Sequence, residues 1–170
     1  MSTSSRGTGP TTSRTSMSTL RSTPAGRSER VRSTVYCVDA GIVFRYLTPG
    51  YPEVPVLWRE FRRSGAQLVA PLLLRHEVTN AFHRHGQAAS MSEEDVGQHL
   101  ARAFALPIDY HDDVSLSVEA ARIAALHGLP ATYDAHYLAL AARLGVDLYT
   151  TDGKLAKAVG DRLPWVRLVR

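Results

Sequence analysis

The chain predicts an α/β fold, a parallel sheet covered by helices, and three observations carry that expectation. From Thr34 onward, short strand-like apolar runs alternate with longer segments of helical period. Acids stand where strands run into helices, as at Asp39 and Asp152, and Gly65, Gly128 and Gly145 stand where helices should stop.

Taken in order, strands are expected at about 35–39, 67–70, 107–110, 146–150 and 165–169. Helical patterns lie near 41–47, 53–64, 72–85, 92–105, 114–127, 133–144 and 153–159. Val35 to Val38 opens the series as an apolar run closed by Asp39, and Val146 to Thr151 is a second such run closed by Asp152. Ser92-Glu93-Glu94-Asp95 has the form of a capping box with acids in the first helical turn. The acidic stretch Asp109 to Asp113 lacks the glycine and terminal glutamate of a calcium loop and reads as the cap of a helix starting near Val114.

Composition narrows the class. An apolar share of 44% over 170 residues suffices for one domain with a core, placed at 34–170. Cys37 is the single cysteine, so no internal disulfide can form and a reducing, cytoplasmic setting is the expectation. No apolar run approaches the roughly 18 residues that cross a bilayer. Residues 1–33, rich in Ser, Thr and Arg, hold six Arg against one acid, a net charge of +5. The remainder holds fourteen basic and fifteen acidic residues, a net charge of −1, so the basic balance belongs to the tail and does not make the domain a general nucleic-acid binder. The tail itself has too little to bury to fold alone. Three readings compete, a basic arm, a targeting segment, and the product of an upstream start site or a linker, the last weighing at least as much as the other two together.

Four acids carry the chemical signal: Asp39, Glu77, Asp134 and Asp152. Asp39 and Asp152 sit at strand ends, where ligands collect in open α/β sheets. Glu77 and Asp134 lie on helices and share their stripes with apolar residues, Leu73, Leu74 and Ala81 for one, Tyr137, Leu138 and Ala141 for the other. Each has a local alternative. Asp39 and Asp152 fit as N-caps, Asp134 as a first-turn acid beside Thr132, and Glu77 as the partner of Arg75 or Arg84. If the four converge, two carboxylates about 5 Å apart repel by roughly 3 kcal/mol at an effective dielectric of 20. Such a cluster must take up protons or a cation, and an all-oxygen donor set selects Mg²⁺ or Mn²⁺. Phosphate-ester hydrolysis is the usual use of such a site.

Other patterns point elsewhere. His76, His83 and His85 do not complete a metal set, and Cys37 reads as a small core residue. No GxGxxG or GxxxxGK[ST] is present, and the paired acids of a phosphoacceptor receiver are missing. Val54, Leu57, Trp58 and Phe61 form an apolar stripe, a candidate face for a partner or a second copy, although most such stripes are core.

Val38-Asp39-Ala40, Glu77-Val78-Thr79-Asn80, Tyr133 to Ala141 and Leu148 to Leu155, in this order, resemble the PIN-domain ribonucleases, and in particular VapC-like toxins of type II toxin-antitoxin pairs. The resemblance spans nearly all of 35–170 and implies a three-layer α/β/α sandwich with a central, mostly parallel five-stranded sheet. It further implies an acidic pocket of Asp39, Glu77, Asp134 and Asp152 holding Mg²⁺ or Mn²⁺, with Asp39 and Asp134 as direct ligands. Thr150 would orient ligand or water, and Asn80 would support Glu77 from one helical turn away. The implied activity is endonucleolytic cleavage of RNA by an ion-activated water, in a toxin restrained by a small antitoxin, as a homodimer or a toxin-antitoxin hetero-oligomer. Arg45, Arg75, Arg84, Lys154 and Lys157 are candidates for holding the substrate. Many relatives carry Ser or Thr two positions after the first Asp, where this chain has Gly41, which removes a hydroxyl near the site. A catalytically weak or inactive PIN-like domain that binds RNA or protein is the alternative.

Overall fold

Val35–Val38 forms the first strand, β1, a β-branched and aromatic run whose Cys37 and Val38 are completely buried. The structure, a computed structural model, describes residues 34–170, and the basic tail read at 1–33 lies outside the described residues. Helices α1 (Ala40–Leu47) and α2 (Glu53–Ser64) lead to β2 (Gln67–Pro71). Helices α3 (Leu73–Ala89) and α4 (Glu93–Phe104) lead to β3 (Ile108–His111). Then α5 (Val114–His127) and α6 (Tyr133–Leu144) precede β4 (Asp147–Thr150), and α7 (Gly153–Val159) with a short 3₁₀ turn precedes β5 (Val166–Leu168).

The strands lie in the order β3-β2-β1-β4-β5, and each neighbouring pair is parallel. The chain therefore grows outward from β1 to β3, then returns across the sheet to lay β4 on the other side of β1. That reversal opens a crevice beyond the carboxyl ends of β1 and β4, the place where such sheets bind ligands. Helices cover both faces, giving the expected three-layer α/β/α sandwich. On one face Phe61 of α2 packs 5.1 Å, ring to ring, from both Tyr36 and Tyr149. On the other, the Cys37 thiol points to the Tyr137 carbonyl of α6, which also packs on β2 and β4. Burial drives that thiol's pKa well upward, as suits a core residue rather than a nucleophile.

Local signals shape the elements as read. Gly65, Gly128 and Gly145 end α2, α5 and α6 with φ of 64°, 64° and 65°, the left-handed backbone that glycine adopts without steric cost. Ser92 and Asp95 form the capping box of α4, and Asp113 caps α5. Three expectations are corrected. Asp39 is not the last residue of β1 but the N-cap of α1. The stripe on α2 is core: Val54, Trp58 and Phe61 are buried, leaving Val56 as the exposed apolar residue of that helix. Helix α3 runs four residues past 85, through Gly86 to Ala89. Gly86 is a seat for its neighbour, since a β-carbon there would come 2.5 Å from the Val96 Cγ2 of α4.

This seat makes a testable point, because Gly to Ala inside a helix ordinarily stabilises by up to about 1 kcal/mol. Here the stiff, β-branched Val96 blocks the new methyl, so Gly86→Ala should destabilise by about 1–2 kcal/mol in urea unfolding. In a Val96→Ala background the same change should become neutral or stabilising.

Candidate functional site

Each of the four acids comes from a different element, and all four line one cavity of about 640 Å³ at the β1/β4 crevice. Asp39 arrives from the end of β1, Glu77 from α3, Asp134 from the first turn of α6 and Asp152 from the loop into α7. Ala40, Gly41, Tyr137, Thr151, Gly153 and Lys154 complete the lining. Each of the four is half-buried. Lys154, exposed at the rim, is the cationic side chain on this wall.

Local chemistry explains how each is held. Asp39 Oδ1 accepts from the Ile42 amide at 2.8 Å, the N-cap bond of α1. Its Oδ2 accepts from the Thr150 hydroxyl at 2.5 Å and the Thr151 amide at 3.2 Å, which ties the end of β1 to the end of β4. Thr150, completely buried, in turn accepts from the Asp152 amide. Asp152 caps α7 through Oδ1, which accepts from the Lys154 and Leu155 amides. Glu77 forms no ion pair with Arg75 or Arg84. Its Oε2 accepts from the Tyr137 hydroxyl at 2.5 Å, across sixty positions of sequence. Asp134 makes no hydrogen bond among the described residues, and Thr132 offers its helix no side-chain cap. Capping and convergence are therefore both true of Asp39 and Asp152.

Electrostatics record the convergence. Burial raises the Asp39 carboxyl from 3.8 to about 6, against three hydrogen bonds that lower it, and Asp152 adds to the rise. Burial also raises Glu77, helped by Asp134 and Asp39, and raises Asp134, helped by Asp152. Three of the acids are thus harder to ionise than in water, through desolvation first and mutual repulsion second.

The donor chemistry suits a hard divalent ion. The arrangement as it stands is another matter: among the described residues, no three Asp, Glu, His or Cys side chains lie together closely enough to hold one. Asp39 has committed both oxygens and Asp152 one. Glu77 Oε1, Asp152 Oδ2 and the whole Asp134 carboxylate keep their lone pairs.

Two side chains of the pocket escape sequence reasoning as site residues. Tyr137 follows Asp134 by three positions on α6, a same-face spacing that is visible in sequence, but its partner Glu77 is not. Thr151 stands over Gly41. A β-carbon at 41 would fall on the Thr151 hydroxyl and lie 3.3 Å from Asp39 Oδ1, so the missing side chain at 41 leaves room that the Thr151 hydroxyl fills. Asn80 lies outside this pocket, in a neighbouring groove that shares Glu77 as a wall, and makes no hydrogen bond to that acid.

No protein-family model matches the sequence, and no curated protein matches it. Solved structures share the fold. PAE2754 from Pyrobaculum aerophilum is 22% identical with a TM-score of 0.55, covering 75% of this chain and 87% of that one. VapBC2 from Rickettsia felis, in a structure bound to a DNA fragment from its promoter, is 12% identical with a TM-score of 0.56, covering 79% of this chain and 97% of that one. The class these define is a PIN-like α/β/α fold, and at such identities the likeness is one of fold alone.

The raised carboxyls fix a sign for stability against pH. A carboxyl whose folded pKa exceeds its unfolded value near 3.9 binds more protons folded than unfolded, so stability falls as pH rises through the window from about 4 to about 6. Thermal unfolding in the absence of divalent ions should therefore show a lower Tm at pH 7.5 than at pH 5. Asp134→Asn, which breaks no hydrogen bond, should raise Tm at pH 7.5 and flatten the profile. An unchanged or steeper profile would mean that the four charges do not feel one another.

Proposed function

We propose that the acidic pocket is a cation-dependent RNA site on a PIN-like domain. One observation carries this reading: four carboxylates from four separate elements line a single cavity with only Lys154 to offset them among the lining residues. A phosphate backbone approaches that wall only if positive charge comes with it. Glu77, Asp134 and Asp152 have the uncommitted oxygens to hold a Mg²⁺ or Mn²⁺ ion, with Asp39 behind them. A bound ion would polarise a phosphoryl oxygen and lower the pKa of water.

Two versions of this site differ in the fate of the bound strand. In the first the chain is a metal-dependent endoribonuclease, the toxin of a toxin-antitoxin pair, with Asp39, Glu77, Asp134 and Asp152 as its acids, Thr151 as a hydroxyl on the wall and the buried Thr150 orienting Asp39. A small antitoxin would restrain it, in a homodimer or a hetero-oligomer; the likeness to VapBC2 supports that partner class. In the second the domain binds RNA or a protein with weak or absent hydrolysis. The side chains as they stand favour the second, because Asp39 spends both oxygens on Ile42, Thr150 and Thr151 and, among the described residues, no three acids form a cage. The raised pKa of Asp39, Glu77 and Asp134 supports the first, since groups in that state gain most from a cation.

An assay on mixed single-stranded RNA with Mg²⁺ or Mn²⁺ decides between them. The expected result is ion-dependent binding that Asp134→Asn weakens by tenfold or more, with turnover well below the roughly 1 s⁻¹ at the low end of typical enzymes. Faster cleavage that is lost in both Asp39→Asn and Asp134→Asn makes the endoribonuclease version the right one. Binding indifferent to the ion and to Asp134→Asn overturns both.

A further inference from the structure

We propose that the groove beside the acidic pocket is a second RNA subsite, seating the nucleotide next to the one at the carboxylates. The inference rests on the acidic pocket being a cation-dependent RNA site. The groove encloses about 600 Å³ and is lined by Phe44, Glu77, Asn80, Ala81, Arg84 and His85, with Ala88 at its end. Glu77 belongs to both cavities, so they share a wall and a chain leaving one can enter the other. The volume falls within the range that accommodates small-molecule ligands, about 300–1,000 Å³.

Position beside the acidic pocket, together with a free side chain, marks the cation of this groove. Arg45 lies 4.8 Å over the Tyr51 ring and Arg75 4.3 Å over the Tyr110 ring. Arg143 pairs with Asp113 and Glu119, Arg167 with Asp147, and Arg162 bonds the Ala158 and Val159 carbonyls. Among the described residues several exposed cations have no such partner, Arg59, Arg62, Arg63, Arg102, Arg122 and Lys157 among them, and Arg84 on α3 is the arginine of that group that lines a cavity sharing Glu77 with the acidic pocket; neither the Asn80 amide nor the His85 ring makes a hydrogen bond. His85 meets Phe44 edge to face at 5.5 Å, giving the groove an aromatic wall beside a guanidinium. Single-strand sites are built from that combination, a base stacking on the ring and a cation on the phosphate. With Lys154 on the wall of the acidic pocket and Arg84 in the adjoining groove, the carboxylates have a cation on either cavity. Phosphates of a bound strand would rest on those cations while the cation-bridged phosphate sits at the acids.

Fluorescence anisotropy on the full chain tests this, with labelled single-stranded RNA of two and of ten nucleotides in Mg²⁺ at fixed salt. Arg84→Glu and His85→Ala should each raise Kd for the ten-nucleotide strand about tenfold while leaving the dinucleotide within twofold. Arg84→Ala should also reduce the log-log salt slope by about 0.7, one single-strand phosphate contact. If Asp134→Asn weakens binding but the Arg84 and His85 variants do not, the subsite is wrong and the acidic site stands. If Asp134→Asn and removal of the ion change nothing, the acidic site is wrong and the subsite falls with it. Displacement of the RNA by an acidic peptide, with equal loss on Arg84→Glu and no difference between RNA lengths, would make the groove a protein site and overturn the proposal. Arg84 is exposed, and unchanged circular dichroism in its variants removes misfolding as an explanation.

Discussion

A carboxylate that joins the ends of two adjacent parallel strands holds the crevice of this molecule in place. Asp39 leaves β1, caps α1 through the Ile42 amide, and receives both the Thr150 hydroxyl and the Thr151 amide from the end of β4. The last two partners lie 111 and 112 positions away in sequence. Parallel strands pair only after a long crossover, so nothing local sets how far β4 extends past β1. Here the two bonds that the end of β4 makes to one side chain fix it. They also place the loop that carries Asp152, because Thr150 accepts from the Asp152 amide while donating to Asp39. The acid that shapes the pocket is thereby also the acid that fastens it.

That double duty bears on an apparent choice between a structural and a functional Asp. N-capping requires only lone pairs directed at backbone amides, and a ligand site requires charge at the edge of a cavity; one carboxylate meets both demands when its helix starts at the cavity wall. The burial that comes with capping is unfavourable for the charge, and the rise to about 6 corresponds to about 3 kcal/mol against ionisation. Sites that bind ions commonly carry such a cost in the free protein, which the ligand then relieves.

The backbone frame was legible because its signals are local. Alternating runs, the Ser92 capping box, Asp113 as a cap and glycine at three helix ends each act within a few residues, and the structure places them as read. The order of strands is a tertiary outcome that the right-handed crossover rule does not set, and the placing of β4 beside β1 is what brings Asp39 and Asp152 to one crevice. What escaped depends on tertiary neighbours. The role of Gly86 inside α3 shows only when Val96 of another helix is seen to occupy its missing side chain's place. Gly41 reads as a lost hydroxyl until Thr151 is found above it. An arginine of α3 was the local alternative for Glu77, but its bond comes from a tyrosine on α6, and a single-sequence pattern does not link positions sixty apart.

The choice of tyrosine over arginine has a chemical consequence. An arginine at Glu77 would have neutralised it and lowered the repulsion among the four acids. The Tyr137 hydroxyl orients Glu77 with a strong hydrogen bond yet adds no positive charge, and its own pKa is pushed well above the ordinary value by burial and by that same carboxylate. Arg75, a neighbour on the same helix, is directed instead onto the Tyr110 ring, and Arg84 opens onto the adjoining groove. The pocket therefore retains its negative charge, since Tyr137 is neutral and these two arginines of α3 lie elsewhere. A neutral partner thus orients Glu77 without relieving the repulsion that burial and the neighbouring acids impose on it.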